Sequence, residues 1–241
     1  MSDDPRGPLS FGDERPIAGG TGEPQGPGEP AHAAPAAQRR LPRILLAVAG
    51  LALLALVTVN TLRTDGASST GPPPGSVMTP FAAPLATSSL VGDVNVARRA
   101  GQGPAGAVAA CDVRGAAVLN SCDLVDGRPA VLVFFTASKA RCVAQVDRLA
   151  AAAVGQPGVR VAAIALGGDR RTLRELVLAH DWTIPVAHDR DAVLGNLYGV
   201  VVCPQITELR AGGRVGATTV GELSQAALDQ RLATLAAGGS R

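Results

Sequence analysis

The sequence predicts an α/β domain, a sheet with helices on both faces, preceded by one transmembrane helix. Three observations carry this. Residues 44–62, ILLAVAGLALLALVTVNTL, run without a charge, and as a helix they span about 28 Å, the thickness of a bilayer's hydrocarbon core. Beyond them, short apolar runs such as AVLVFF and VRVAAIAL, sized for buried strands, alternate with stretches whose apolar residues recur at helical spacing. The chain then closes on two strands and a helix, and strands alternating with helices in this way belong to α/β sheets.

In chain order, residues 1–43 come first. Pro and Gly recur every few positions and large apolar residues are almost absent, so this stretch cannot bury enough surface to offset its ordering entropy and reads as a disordered tail. Arg39, Arg40 and Arg43 precede the apolar segment and only Arg63 follows closely, which places the tail in the cytoplasm and everything after Leu62 outside the cytoplasmic membrane. A cleaved signal peptide would have to sit behind that long tail, and no convincing small-x-small cleavage site follows the segment. Residues 63–105, with GPPPG and GQGPAG, read as a Pro/Gly/Ala-rich tether holding a short ordered piece around 90–99. One folded domain remains, residues 106–237, followed by a short tail, 238–241.

Within that domain, residues 130–135 (AVLVFF) suit a central strand feeding a helix over 141–153, where Val143, Val146 and Leu149 share a face. Residues 159–166 form a second buried strand, and 171–180 an amphipathic helix with Leu173, Leu176 and Val177 inward. Ile184, Pro185 and Val186 give a short strand, and residues 191–198 a short helix. Residues 200–209, broken at Pro204, and 214–218 read as strands joined by the turn AGGR, and 222–235 as the last helix. Asp189 and Asp191, in HDRDAVLG, are placed to make the turn and cap the short helix. Trp182 and Tyr198 read as packing residues.

Composition sets limits. The 241 residues are 46% hydrophobic but only 2% aromatic, with 29 Gly and 18 Pro, so the core is built largely of Ala and Val and is modest. A formal charge of +2 is too close to zero, and the basic residues too scattered, to argue for nucleic-acid binding by counterion release.

All four cysteines, Cys111, Cys122, Cys142 and Cys203, follow the apolar segment, and an even count in an oxidising compartment favours disulfides. The local pair Cys111–Cys122 is favoured as a structural staple, because Arg114-Gly115 can turn the chain back into a small hairpin. Zinc fits poorly: no C-x-x-C pair is present, and His180 and His188 lack ligand spacing. No cofactor is expected. Cys142 lies in the first turn of its helix, where the helix dipole, Lys139 and Arg141 favour a thiolate and should lower its pKa. The plainer reading is an inert buried cysteine.

The strings GRPAVLVFFTASKARC, WTIPVAHDRDAVLGNLYGVVVCPQI and GGRV, in this order, resemble the extracytoplasmic thioredoxin-like reductases of the TlpA/ResA type and the related redoxin (peroxiredoxin-like) families. The resemblance covers residues 108–237 and implies a thioredoxin-like fold with a central mixed sheet. In that family a C-x-x-C opens the helix after a strand ending in Phe; here its first position is Lys139, leaving K-A-R-C. Tyr198, Gly199 and Val200 match the family's lead-in to a cis-proline, which would be Pro204, with an extra residue or two between, and Cys203 stands before it. The resemblance implies that the loop before Pro204 meets the start of the active-site helix, so that Cys142 and Cys203 become neighbours and form a disulfide. It further implies thiol–disulfide exchange with Cys142 as the reactive thiol, Cys203 as its partner, Lys139 stabilising the thiolate and Pro204 shaping a docking groove. Partners would then be protein thiols or disulfides, or an extracytoplasmic thioredoxin-type reductant.

Two alternatives stay open. A redoxin-type peroxidase with antioxidant activity would use Cys142 on peroxide and Cys203 as resolving thiol. Thr136, however, lies six residues before Cys142 rather than three, Lys139 holds the threonine position, and no proline precedes it. A non-catalytic thioredoxin-like module would bind a partner through the same groove.

Overall fold

The computed structural model describes residues 45–46, 48–56 and 71–238. The chain divides into two compact units, Met1–Leu56 and Val57–Arg241. In the first, residues 45–46 and 48–56 are helical with exposed side chains. Among the described residues no helix is long and apolar enough to cross a membrane. The expected span, 44–62, lies partly outside the described residues, and the expected tail, 1–43, wholly outside them.

The second unit is built on a five-stranded sheet. Its strands are β3 (Ala130–Phe135), β4 (Arg160–Leu166), β5 (Val186–Asp189), β6 (Gln205–Leu209) and β7 (Val215–Val220), in the order β5-β4-β3-β6-β7. A small ribbon, β1 (Ala82–Pro84) against β2 (Val118–Asn120), precedes it. β3 pairs in parallel with β4 and antiparallel with β6, so the sheet is mixed. The helices are α1 (Ser121–Leu124), α2 (Ala140–Val154), α3 (Arg170–Ala179), α4 (Val193–Leu197) and α5 (Gln225–Gly238).

The run AVLVFF is wholly buried because both faces of the central strand are covered, and its period of two divides it between two cores. Val131, Val133 and Phe135 face Cys142, Val146 and Leu149 of α2, Leu173 of α3 and Leu228 of α5. Leu132 and Phe134 join Leu194 of α4, Tyr198, Phe81 and Leu119 in the other cluster. α2 crosses over between the parallel neighbours β3 and β4, and this is the connection that brings the start of α2 to the end of β3.

The expected tether is corrected from Gly71 onward. Residues 71–105 are part of the fold: Phe81, Ala83, Ala86 and Ala97 are fully buried. The reason is edge protection. At one side of the sheet, Gly75 N–H donates to the carbonyl of Val215 at 2.7 Å and Val215 N–H to that of Ser76 at 2.9 Å. At the other, Ala86 N–H donates to the carbonyl of Val186 at 2.8 Å. An edge strand otherwise presents unpaired backbone groups, and this Pro- and Gly-rich stretch satisfies some of them on both edges without contributing a long strand.

Smaller corrections follow from tertiary pairing. The strand expected over 200–209 forms only from Gln205, since residues 200–204 make a loop. The final helix starts at Gln225, later than expected. The short helix is capped as expected at Asp189, whose buried carboxylate accepts the N–H groups of Val193, Leu194 and Gly195 at 2.9, 2.8 and 3.1 Å. Asp191 instead pairs with Arg190.

Candidate functional site

The site forms where β3 ends. After Phe135 the chain turns, with Lys139 N–H donating to the carbonyl of Thr136 at 3.1 Å. Lys139 then takes the N-cap position of α2 without a side-chain cap bond. Cys142 is the third residue of that helix, 0% exposed, and its N–H donates to the carbonyl of Lys139 at 2.9 Å. Lys139 and Arg141 are exposed.

The antiparallel register explains what meets it. Phe134 pairs with Gln205, so continuing the register by one and two positions sets Pro204 beside Phe135 and Cys203 beside Thr136. The loop is held at its base by Gln205, whose Nε2 donates to the carbonyl of Tyr198 at 2.9 Å. It leaves α4 through Gly199 at a φ of 57°, in the left-handed region that suits glycine. The Cys203–Pro204 peptide is cis. Cys142 and Cys203 form a disulfide with Cα atoms 5.7 Å apart, inside the range a bridge requires. Cys203 is half-buried, Pro204 buried, and Val201 and Val202 are exposed.

Cys111 and Cys122 form the second disulfide, with Cα atoms 5.5 Å apart, but not across a hairpin. Between them run a 3-10 turn (Ala110–Asp112), a turn at Gly115 and β2, and the partner of β2 is β1. Asn120 fastens this stretch: its Nδ2 donates to the carbonyls of Ala110 and Val113 at 2.9 and 2.8 Å, and its Oδ1 accepts Cys122 N–H at 2.8 Å. Asn120 was not legible in the sequence as a residue of importance, since a lone Asn after an apolar pair carries no pattern.

A second unread cluster lies further along α2. Oδ1 of Asp147 accepts Trp182 Nε1–H at 2.7 Å and meets His180 Nδ1 at 2.8 Å, and the Trp182 ring packs edge-on against Phe135 at 5.6 Å. Trp182 therefore ties α2 to the segment after α3 and supports the end of β3. Tyr198 is fully buried, its hydroxyl donating to the carbonyl of Thr79 at 3.1 Å, and burial pushes its phenol well above the usual range. Among the described residues, no group of three or more His, Cys, Asp or Glu side chains is placed to hold a metal ion.

No protein-family model matches the chain, and no curated protein matches it. Solved structures do. A thiol:disulfide interchange protein of the thioredoxin family from Chlorobium tepidum TLS superposes with a TM-score of 0.50 at 14% identity, covering 68% of this chain and 98% of that one. The fold is thioredoxin-like. Other thioredoxin-like neighbours include a secreted Mycobacterium tuberculosis disulfide oxidoreductase homologous to E. coli DsbE, at 28% identity and a TM-score of 0.45, covering 49% of this chain and 90% of that one. StoA from Bacillus subtilis matches at 18% identity and a TM-score of 0.41, covering 44% and 82%. In this thioredoxin-like domain the helix that opens after the central strand carries one cysteine, and the residue before the cis-proline carries the other.

Proposed function

We propose that the chain is a membrane-anchored thiol–disulfide oxidoreductase whose redox pair is Cys142 and Cys203. The observation that supports it is the bond between the first turn of α2 and the residue before Pro204. A bond at that place puts a reversible two-electron couple at the rim of the fold, next to exposed Val201 and Val202, where another polypeptide can reach it. Lys139 adds positive charge beside a helix start that already favours a thiolate. Protein dithiols or disulfides are the partners that a pair with one sulfur at the rim suits.

The complete burial of Cys142 weighs against the peroxidase alternative, which needs a thiolate open to peroxide. The anchoring is carried by the sequence: three arginines, Arg39, Arg40 and Arg43, stand ahead of the charge-free stretch 44–62. On this reading the thioredoxin-like domain works outside the cytoplasmic membrane, joined to the span by residues 63–70.

The test is catalysed exchange. Wild-type protein should accelerate reduction of a protein disulfide such as insulin in a thiol buffer, and Cys142→Ala and Cys203→Ala should each abolish the acceleration. If wild type gives no acceleration while its Cys142–Cys203 bond stays oxidised throughout, the domain is a binding module instead.

A further inference from the structure

We infer that exchange begins at Cys203 and that Cys142 is the buried leaving group, the reverse of the roles that the family resemblance implies. This rests on Cys142 and Cys203 being the redox pair and adds which sulfur a partner touches. A thiolate attacks along the line of the S–S bond, so the attacked sulfur must be open on its far side. Cys142 is 0% exposed within the cluster of Phe135, Val146 and Leu149. Cys203 is only partly buried against the rim of that cluster, and the two residues before it, Val201 and Val202, are 70% and 44% exposed. At the helix start the side chains that stand in solvent belong to Lys139, Ala140 and Arg141, so α2 offers no open sulfur there. A partner can therefore reach the bond only from the Cys203 side.

The step balances as follows. A partner thiolate bonds to Cys203 Sγ, the Cys142–Cys203 bond breaks, and its electron pair goes to Cys142 Sγ. That charge develops on the third residue of a 15-residue helix, at the positive end of its dipole, which offsets the cost of placing a thiolate among apolar side chains. A second thiolate of the partner then attacks the partner's own sulfur in the mixed disulfide, and the electron pair of that bond goes to Cys203 Sγ. The partner's dithiol has lost two electrons and two protons. The domain has gained them as two thiols, the protons passing through water. With a disulfide partner the same sequence runs backward, Cys203 again carrying the mixed bond. The partner class this selects is a protein with two cysteines close enough to bridge, since a single thiol would be expelled when Cys142 attacks Cys203 again.

The experiment uses the oxidised full chain in detergent. It is mixed briefly with limiting glutathione, quenched in acid and mapped by mass spectrometry. Glutathione should be found on Cys203, with Cys142 free, at least tenfold more often than the converse. Glutathione on Cys142, alone or in equal amount, overturns the order while leaving the pair redox-active. If neither cysteine is reduced or modified by a glutathione concentration that reduces a small-molecule disulfide, the redox-pair reading fails and this one with it. Single variants give an independent readout. The lone Cys203 of Cys142→Ser should react with oxidised glutathione at least tenfold faster than the lone Cys142 of Cys203→Ser, and equal rates overturn the inference even if one variant is less stable.

Discussion

Cys142 and Cys203 are bonded across 61 positions of sequence, with Cα atoms 5.7 Å apart. The antiparallel register of β3 with β6 makes this possible, because it carries the residue before Pro204 to the point where β3 hands over to α2. The bridge is thus divided between a helix and a loop.

This bond should be reduced before Cys111–Cys122. Cys142 leaves as a thiolate at a helix N-terminus, whereas Cys111 sits in a 3-10 turn and Cys122 in a helix of one turn, and a better leaving group is displaced faster. Titration against a graded glutathione buffer with mass mapping should show Cys142 and Cys203 free while the other pair is still joined. The opposite order would remove the basis for treating the two bridges differently.

Replacing Cys142 and Cys203 together by Ala should lower stability by about 4 kcal/mol, against about 3 for Cys111 and Cys122, because the longer loop restricts the unfolded chain more. Urea denaturation of the isolated domain measures both. Equal losses would mean that residual structure in the unfolded state, rather than loop length, sets the effect.

Lys139→Met should shift the pH profile of Cys142 alkylation upward in reduced protein. The lysine is exposed, so solvent screens it and the shift should be small. An unchanged profile would leave the helix dipole as the source of any activation.

Asp189 should give a defined pH signature. Burial raises its carboxyl pKa, against the three N–H groups it accepts, which pull it down. A folded pKa above the unfolded value of about 3.9 means that the folded state holds the proton more tightly. Its favourable contribution is therefore fully present at low pH and is lost as pH rises through the folded value. Stability of wild type relative to Asp189→Asn, from urea midpoints at several pH values, should improve toward acid. Asp189→Ala should cost about 1–3 kcal/mol at neutral pH, since it leaves buried N–H groups unpaired.

Gly106→Ala tests whether residues 71–105 and their continuation are truly structural. Gly106 has a φ of 141°, and an added Cβ would lie 2.4 Å from Oδ1 of Asn95. That side chain cannot simply turn away, because its Nδ2 donates to the carbonyl of Val108 and its Oδ1 accepts Ala97 N–H, each at 2.9 Å. A loss of about 1–3 kcal/mol is expected; no change would return this stretch to the status of a tether. If the domain lies outside the cytoplasmic membrane as proposed, protease added outside intact cells should spare residues 71–105, and cutting there would likewise return the stretch to the status of a tether.

What the sequence determined by itself was local. The short apolar runs AVLVFF and VRVAAIAL, helical spacing in the residues after Cys142, and Asp189 before a short apolar helix each depend on neighbours within a few positions, and these elements stand where the pattern put them. The thioredoxin-like order of elements was legible for the same reason. The tertiary structure alone decided what crosses long separations. It folded the Gly- and Pro-rich stretch from Gly71 onto both sheet edges, where backbone pairing compensates for its poor propensity. It made β1, not a local hairpin, the partner of the strand between Cys111 and Cys122. It also buried Cys142 while leaving Cys203 at the rim, a difference in access set by packing between elements, which no spacing along the chain encodes.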